Sequence, residues 1–334
     1  MIELLISIVP VVVFLGALVA LDSYKLVGVQ EVLASVAVGA GVGLVAYEVN
    51  SRLMMVFGGD AVAYSRYVAP FVEETLKAAY ILYRIRSQKV GFLVDAGIHG
   101  FAVGAGFAVV ENVFYFLALP AASVYVWLVR GLGTAIMHGG VTGIFAVVSK
   151  NLIDQDPESP WLRILPGFFL AVVIHSLYNH FFLRPVLSAI LVLVTVPGAM
   201  MVVFSQSERG LRKWLGVGFD TDQELYSLVT SGNISKTHVG MYVQSLQSSF
   251  SPEVMVDLIC YLRLYLELSI QAKGILLMRE SGFETPPDPE VKEKFAELRQ
   301  LESNIGATGK LALLPFLHTS TRDLWQLHML EAKT

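Results

Sequence analysis

Seven predominantly apolar stretches follow one another along the chain, at about 2–21, 28–48, 66–86, 90–118, 123–149, 162–183 and 186–204. Each is close to the ~20 residues a helix needs to cross a bilayer. The segment from Ser51 to Ser65 is too short and too polar to span, and is expected to lie at the interface or to re-enter the membrane. Beyond Phe204 the apolar excess ends and the pattern becomes amphipathic and charged. Asp220 with Gln223 has the form of a helix start, and Ser251-Pro252-Glu253 opens a long amphipathic run to about Arg279. Thr285-Pro286-Pro287-Asp288-Pro289 breaks that run, and two or three shorter helices are expected to follow to Lys333. The expected fold is therefore all-α. A transmembrane bundle of about seven helices occupies residues 1–204, and a soluble helical domain occupies 205–334.

Composition agrees with this division. The 334 residues are 54% hydrophobic and 16% charged with mean hydropathy +0.61, too apolar for a soluble domain. Net charge is −4 and no basic run occurs, which argues against a nucleic-acid partner. The lone cysteine, Cys260, excludes an intrachain disulfide and a Cys-rich zinc site. The first apolar stretch carries Glu3 and no basic leader, so it is expected to stay as an uncleaved span. With the N-terminus outside, inner connections would hold Lys25, Arg84, Arg86, Lys89, Lys150, Arg163, Arg209, Arg212 and Lys213, and outer ones only Arg52, Arg66 and Arg184. That asymmetry predicts a multi-pass cell-membrane protein with its N-terminus out and its C-terminal domain cytoplasmic. Small-residue pairs at i+4, Gly39/Gly43, Gly100/Gly104 and Gly139/Gly143, mark spans that approach backbone to backbone.

Charges inside the spans change the picture most. The third carries Glu73, Glu74 and Lys77, with Lys77 at i+4 and i+3 from the two acids. Each charge costs roughly 2.5–3.5 kcal/mol at mid-bilayer unless it finds a partner, water or a task. Taken alone, the cluster reads equally as a structural ion pair. Three other spans carry polar groups as well: Glu111-Asn112 on the fourth, the stripe Arg130, Thr134, His138 and Thr142 on the fifth, and His175 with Asn179 at i+4 on the sixth. Counted at 1.5 Å per residue, Glu73, Glu111, His138 and His175 all fall roughly 10–15 Å below the outer surface. Asp95 and His99 lie deeper and are not expected to reach the same locus.

The ordered set Glu73-Glu74-x-x-Lys77, Phe107-x-x-x-Glu111-Asn112, His138 and His175-x-x-x-Asn179 resembles the PrsW family of intramembrane proteases, over about residues 25–205. It is also similar to the wider CAAX prenyl protease superfamily. Glu111 stands where the CAAX branch has histidine, and Lys77 keeps a PrsW-type spacing, which favours the PrsW branch. The resemblance implies an endopeptidase acting on membrane-anchored substrates such as anti-sigma factors with one membrane helix. By the same resemblance Glu73 is the general base assisted by His138, and Glu74 with Lys77 holds charge balance. His175 and Asn179 are the oxyanion donors, and Glu111 is a second acid or part of the scaffold. His138, His175 and a glutamate could also form a zinc site, but His-Glu-x-x-His is absent, so a metal-free glutamate mechanism is favoured and zinc is the alternative. A proton- or cation-coupled transporter, or a non-catalytic membrane scaffold, are the competing functions; in any of them the C-terminal domain offers a surface for a cytoplasmic partner.

Overall fold

The computed structural model describes residues 1–56, 60–156, 159–231, 238–283, 288–317 and 321–331. Among them the chain is helical throughout, without a strand. It divides into two compact units, Met1–Glu208 and Arg209–Thr334. The first contains α1 (Ile2–Ala20), α2 (Val29–Val56), a single turn α3 (Ala61–Ala63) and α4 (Ala69–Arg86). After these come α5 (Leu93–Ala118), α6 (Val124–Val129), α7 (Ile136–Gln155), α8 (Pro160–Asn179) and the first part of α9 (Pro185–Thr230). Two π-helical turns, Tyr64–Val68 and Arg130–Ala135, run directly into α4 and α7. Such turns widen the helix by one residue and often mark functional sites.

Six of these helices are long and apolar enough to cross a membrane, α6 and α7 counting as one through their π turn. The expected seventh, α4, is a helix whose charges keep it out of that set. Most of those charges point inward: Glu73, Glu74, Lys77 and Arg84 are buried, and Arg86 at the end of the helix is exposed. Two expected boundaries move. α2 continues past residue 48 to Val56, and α9 continues past Phe204 to Thr230, so Asp220 lies inside a helix where a helix start was expected. The reason is the same in both places. Falling hydropathy marks where a helix leaves an apolar environment, whereas a helix ends only at a breaker, and none stands at either point.

α5 is the axis of the first unit, buried on most of its faces between α2 and α7. A Cβ on Gly104 would collide with the backbone carbonyl of His138, and one on Gly100 would sit 2.6 Å from the carbonyl oxygen of Thr142. On the other side, a Cβ on Gly39 would collide with the carbonyl of Val103. These contacts are the close approach that small residues permit between membrane helices, and they fix the depth at which α7 presents His138. Ile81, Ile85, Val103, Met137, Val141, Phe145, Ala171 and Tyr178 close the apolar core joining α4, α5, α7 and α8.

The second unit holds the rest of α9 with α10 (His238–Leu246), α11 (Pro252–Glu280), α12 (Glu290–Leu313) and α13 (Thr321–Glu331). Ser251 caps α11 by accepting from the Val254 amide. The stripe Leu258, Leu262, Tyr265 and Leu266 on α11 is buried within the unit. Lys273, fully buried, donates to Asp222 at 2.5 Å and to Ser269, and Gln326 donates to the same serine. Gly306 bends α12 at φ 64°, a conformation open to glycine. Thr285–Pro287 and His318, singled out from the sequence, lie outside the described residues.

Candidate active site

The π turn at Tyr64–Val68 and the helix it opens set Glu73, Glu74 and Lys77 against α5, α7 and α8. Lys77 donates to Glu74 Oε1 at 2.8 Å, meets His138 Nδ1 at 3.1 Å and lies 4.0 Å from the centroid of the Phe107 ring. Glu74 Oε1 also faces His175 Nδ1 at 2.8 Å. From α5, Glu111 pairs with Arg130 at 2.8 Å and faces His138 Nε2 at 3.3 Å. Asn112 holds Arg130 by accepting from its Nε at 2.8 Å, and donates to the Ser7 carbonyl of α1 at 2.8 Å. The His138 and His175 rings meet edge to face, centroids 4.8 Å apart.

Glu73 differs from the other two acids. Glu74 has Lys77 and Glu111 has Arg130, but among the described residues no lysine or arginine pairs with Glu73. Its Oε1 accepts from Asn50 Nδ2 at 3.1 Å, while Oε2 is buried without a hydrogen-bond partner, 3.9 Å from His175 Nε2. Three carboxylates thus share two cations, and the uncompensated one carries the free oxygen. Buried charges left in that state are costly.

Of the residues singled out from the sequence, Glu73, Glu74, Lys77, Glu111, His138 and His175 form one contiguous cluster. Asn179 lies one turn away. Its Nδ2 donates to the Ser65 carbonyl at 2.9 Å, leaving one amide hydrogen over. A cavity of about 400 Å³ adjoins the cluster, lined by Asn50, Tyr64, Glu73, Glu111, His175 and Asn179 among aromatic walls from Tyr47, Phe107 and Phe114. Asp95 and His99 do not reach it. Asp95 accepts from the Gly91 and Phe92 amides at the start of α5, and His99 sits between Arg84 at 2.8 Å and Ser35 at 2.9 Å. Sequence reasoning missed Asn50 and Tyr64. Both fall beyond the expected span ends, and the readable signal was an amide two residues past the apolar run of α2.

Glu73, His138 and His175 offer three donor atoms within 4.8 Å of one another. Whether they fit a metal depends on the ring nitrogens. Glu74 is an acceptor, so His175 carries its proton on Nδ1 and turns the Nε2 lone pair toward Glu73 Oε2, the arrangement of a carboxylate-oriented metal ligand. Lys77 is a donor only, so His138 Nδ1 accepts and its proton sits on Nε2, toward Glu111. In that tautomer His138 presents no lone pair to the group. As it stands the arrangement offers a metal two donors, Glu73 and His175, and it reaches the three protein ligands of a catalytic zinc site once His138 releases its Nε2 proton, as metal binding requires of its ligands.

A family model described as PrsW family intramembrane metalloprotease matches residues 29–205, the stretch that supplies every residue of this cluster. No curated protein and no solved structure matches the chain.

Proposed function

Because this chain belongs to the PrsW family of intramembrane metalloproteases, we propose that it hydrolyses a peptide bond of membrane-anchored substrates with Glu73 as general base. The observation that carries the reading is the free Oε2 of an acid without a cation, facing His175 across 3.9 Å at the edge of a cavity. A water held between Glu73 Oε2 and His175 Nε2 attacks the scissile carbonyl carbon as Oε2 takes one of its protons. The carbonyl's electron pair moves to oxygen, and the remaining amide hydrogen of Asn179 stabilises that oxyanion. On collapse the C–N bond breaks and Glu73 returns its proton to the leaving amine, giving a carboxylic acid and an amine. With Nδ1 on Glu74 and Nε2 toward Glu73, His175 serves the water better than the oxyanion role expected of it. Glu74 and Lys77 hold His175 and His138 in their tautomers, and Glu111 with Arg130 fixes the far side of His138.

Positive residues on the connections support an N-out, C-in topology, which sets the site in the outer half of the membrane and its substrates among proteins anchored there, anti-sigma-factor-like proteins included. The test uses purified protein in liposomes with a fluorogenic peptide bearing one membrane helix. Glu73→Gln is expected to lower turnover about 10²–10⁴-fold, the range a general base supplies, and a chelator is expected to leave the wild-type rate unchanged. Near wild-type cleavage by Glu73→Gln overturns the assignment of the base, and loss of activity on chelation restored by zinc overturns the metal-free reading.

A further inference from the structure

A carboxylate on a buried glutamate has two equivalent oxygens and a soft terminal torsion. Something has to choose which oxygen faces the reacting water. On α2, Asn50 donates from Nδ2 to Glu73 Oε1 at 3.1 Å, and its Oδ1 accepts from the Tyr64 hydroxyl at 2.9 Å. The polarity of this chain is settled by its ends. A carboxylate only accepts, so the amide nitrogen of Asn50 must face Glu73; its oxygen is then left to the tyrosine, which donates. Tyr64 is itself buried and held in place. Its π turn is tied to α8 by Ser176 Oγ donating to the Arg66 carbonyl at 2.6 Å and by Asn179 Nδ2 donating to the Ser65 carbonyl at 2.9 Å.

We propose that Tyr64 and Asn50 are positioning residues that pin Glu73 Oε1 and so present Oε2 to His175 and to the water. The proposal rests on the reading of Glu73 as the base. Asn50, Tyr64 and Glu73 also line the one cavity, so the chain connects the surface that receives substrate to the orientation of the base. Neither residue takes or gives a proton in the reaction. Each acts through geometry, where misplacement by about 1 Å can cost on the order of 100-fold in rate.

Steady-state kinetics of the full chain in liposomes test this with Asn50→Ala, Asn50→Asp, Tyr64→Phe, the double variant Asn50→Ala/Tyr64→Phe, and Glu73→Gln as reference. Asn50→Ala is expected to lower kcat about 10- to 100-fold with KM within about twofold. Asn50→Asp keeps the shape and loses the donor, so it is expected to fall at least as far, whereas a packing role predicts near wild-type kcat. Tyr64→Phe is expected to lower kcat several-fold, and the double variant to match Asn50→Ala alone, because the tyrosine acts only through the amide. If Asn50→Ala fails to fold, Asn50→Asp and Tyr64→Phe carry the test. Inactive Glu73→Gln beside near wild-type Asn50 variants overturns the positioning chain and leaves the base standing. Additive losses in the double variant overturn the link from Tyr64. Activity in Glu73→Gln removes the base itself, and with it this inference.

Discussion

Lys77 is wholly buried, and its ammonium is divided among a carboxylate, an imidazole nitrogen and an aromatic face. Such a cation is held in place by what it neutralises. Lys77→Met leaves Glu74 with His175 as its remaining partner, and breaking a buried pair from one side costs about 3–5 kcal/mol. The expected outcome is a large drop in thermal midpoint in detergent. Glu74→Gln/Lys77→Met removes both charges together and is expected to recover most of the loss. If the double variant melts no higher than the single one, Lys77 stabilises the site through His138 or Phe107 and not through Glu74.

At the scale of elements, α5 decides where the histidine of α7 stands. Gly104 has no room for a methyl group because the His138 carbonyl occupies it, whereas Gly41 on α2 has nothing within 4 Å. Gly104→Ala therefore has to push α7 away and carry His138 from Lys77 and Glu111. The expected cost is about 1–3 kcal/mol of overpacking, with turnover falling further than stability. Gly41→Ala is the matched control, expected to be silent in both. Equal effects from the two would mean that helix propensity governs these positions and not the α5–α7 approach. The π turns act at the same scale. One starts the helix that carries Glu73, and the other holds Arg130 against Glu111 and Asn112 before α7 begins.

Across the whole molecule, every residue of the cluster lies in the unit Met1–Glu208. A chain ending after Glu208 keeps Ser207, which accepts from the Val94 amide at the start of α5. Such a chain is expected to insert, to stay monodisperse and to cleave the model peptide at close to the full-length rate. In cells, a reporter after Pro120 is expected to read outside, and one after Glu208 cytoplasmic. Lost cleavage by a monodisperse truncated protein would show that the second unit supports the site, and a cytoplasmic reading at Pro120 would invert the topology.

Much of this architecture was written in the chain. Apolar runs of bilayer length become helices because a backbone in lipid has to satisfy its own hydrogen bonds. The rise per residue then places Glu73, Glu111, His138 and His175 at one level, and they do meet. Rise says nothing about rotation, however. That Lys77 meets His138 Nδ1, that Glu74 takes His175 Nδ1, and that Glu73 is left without a cation depend on how each helix is turned about its axis. That turning is set by contacts between helices, such as Gly104 against the His138 carbonyl, which no single span encodes. Asn50 escaped notice for a related reason: hydropathy ended α2 too early, and only the folded bundle carries its last turns over Glu73.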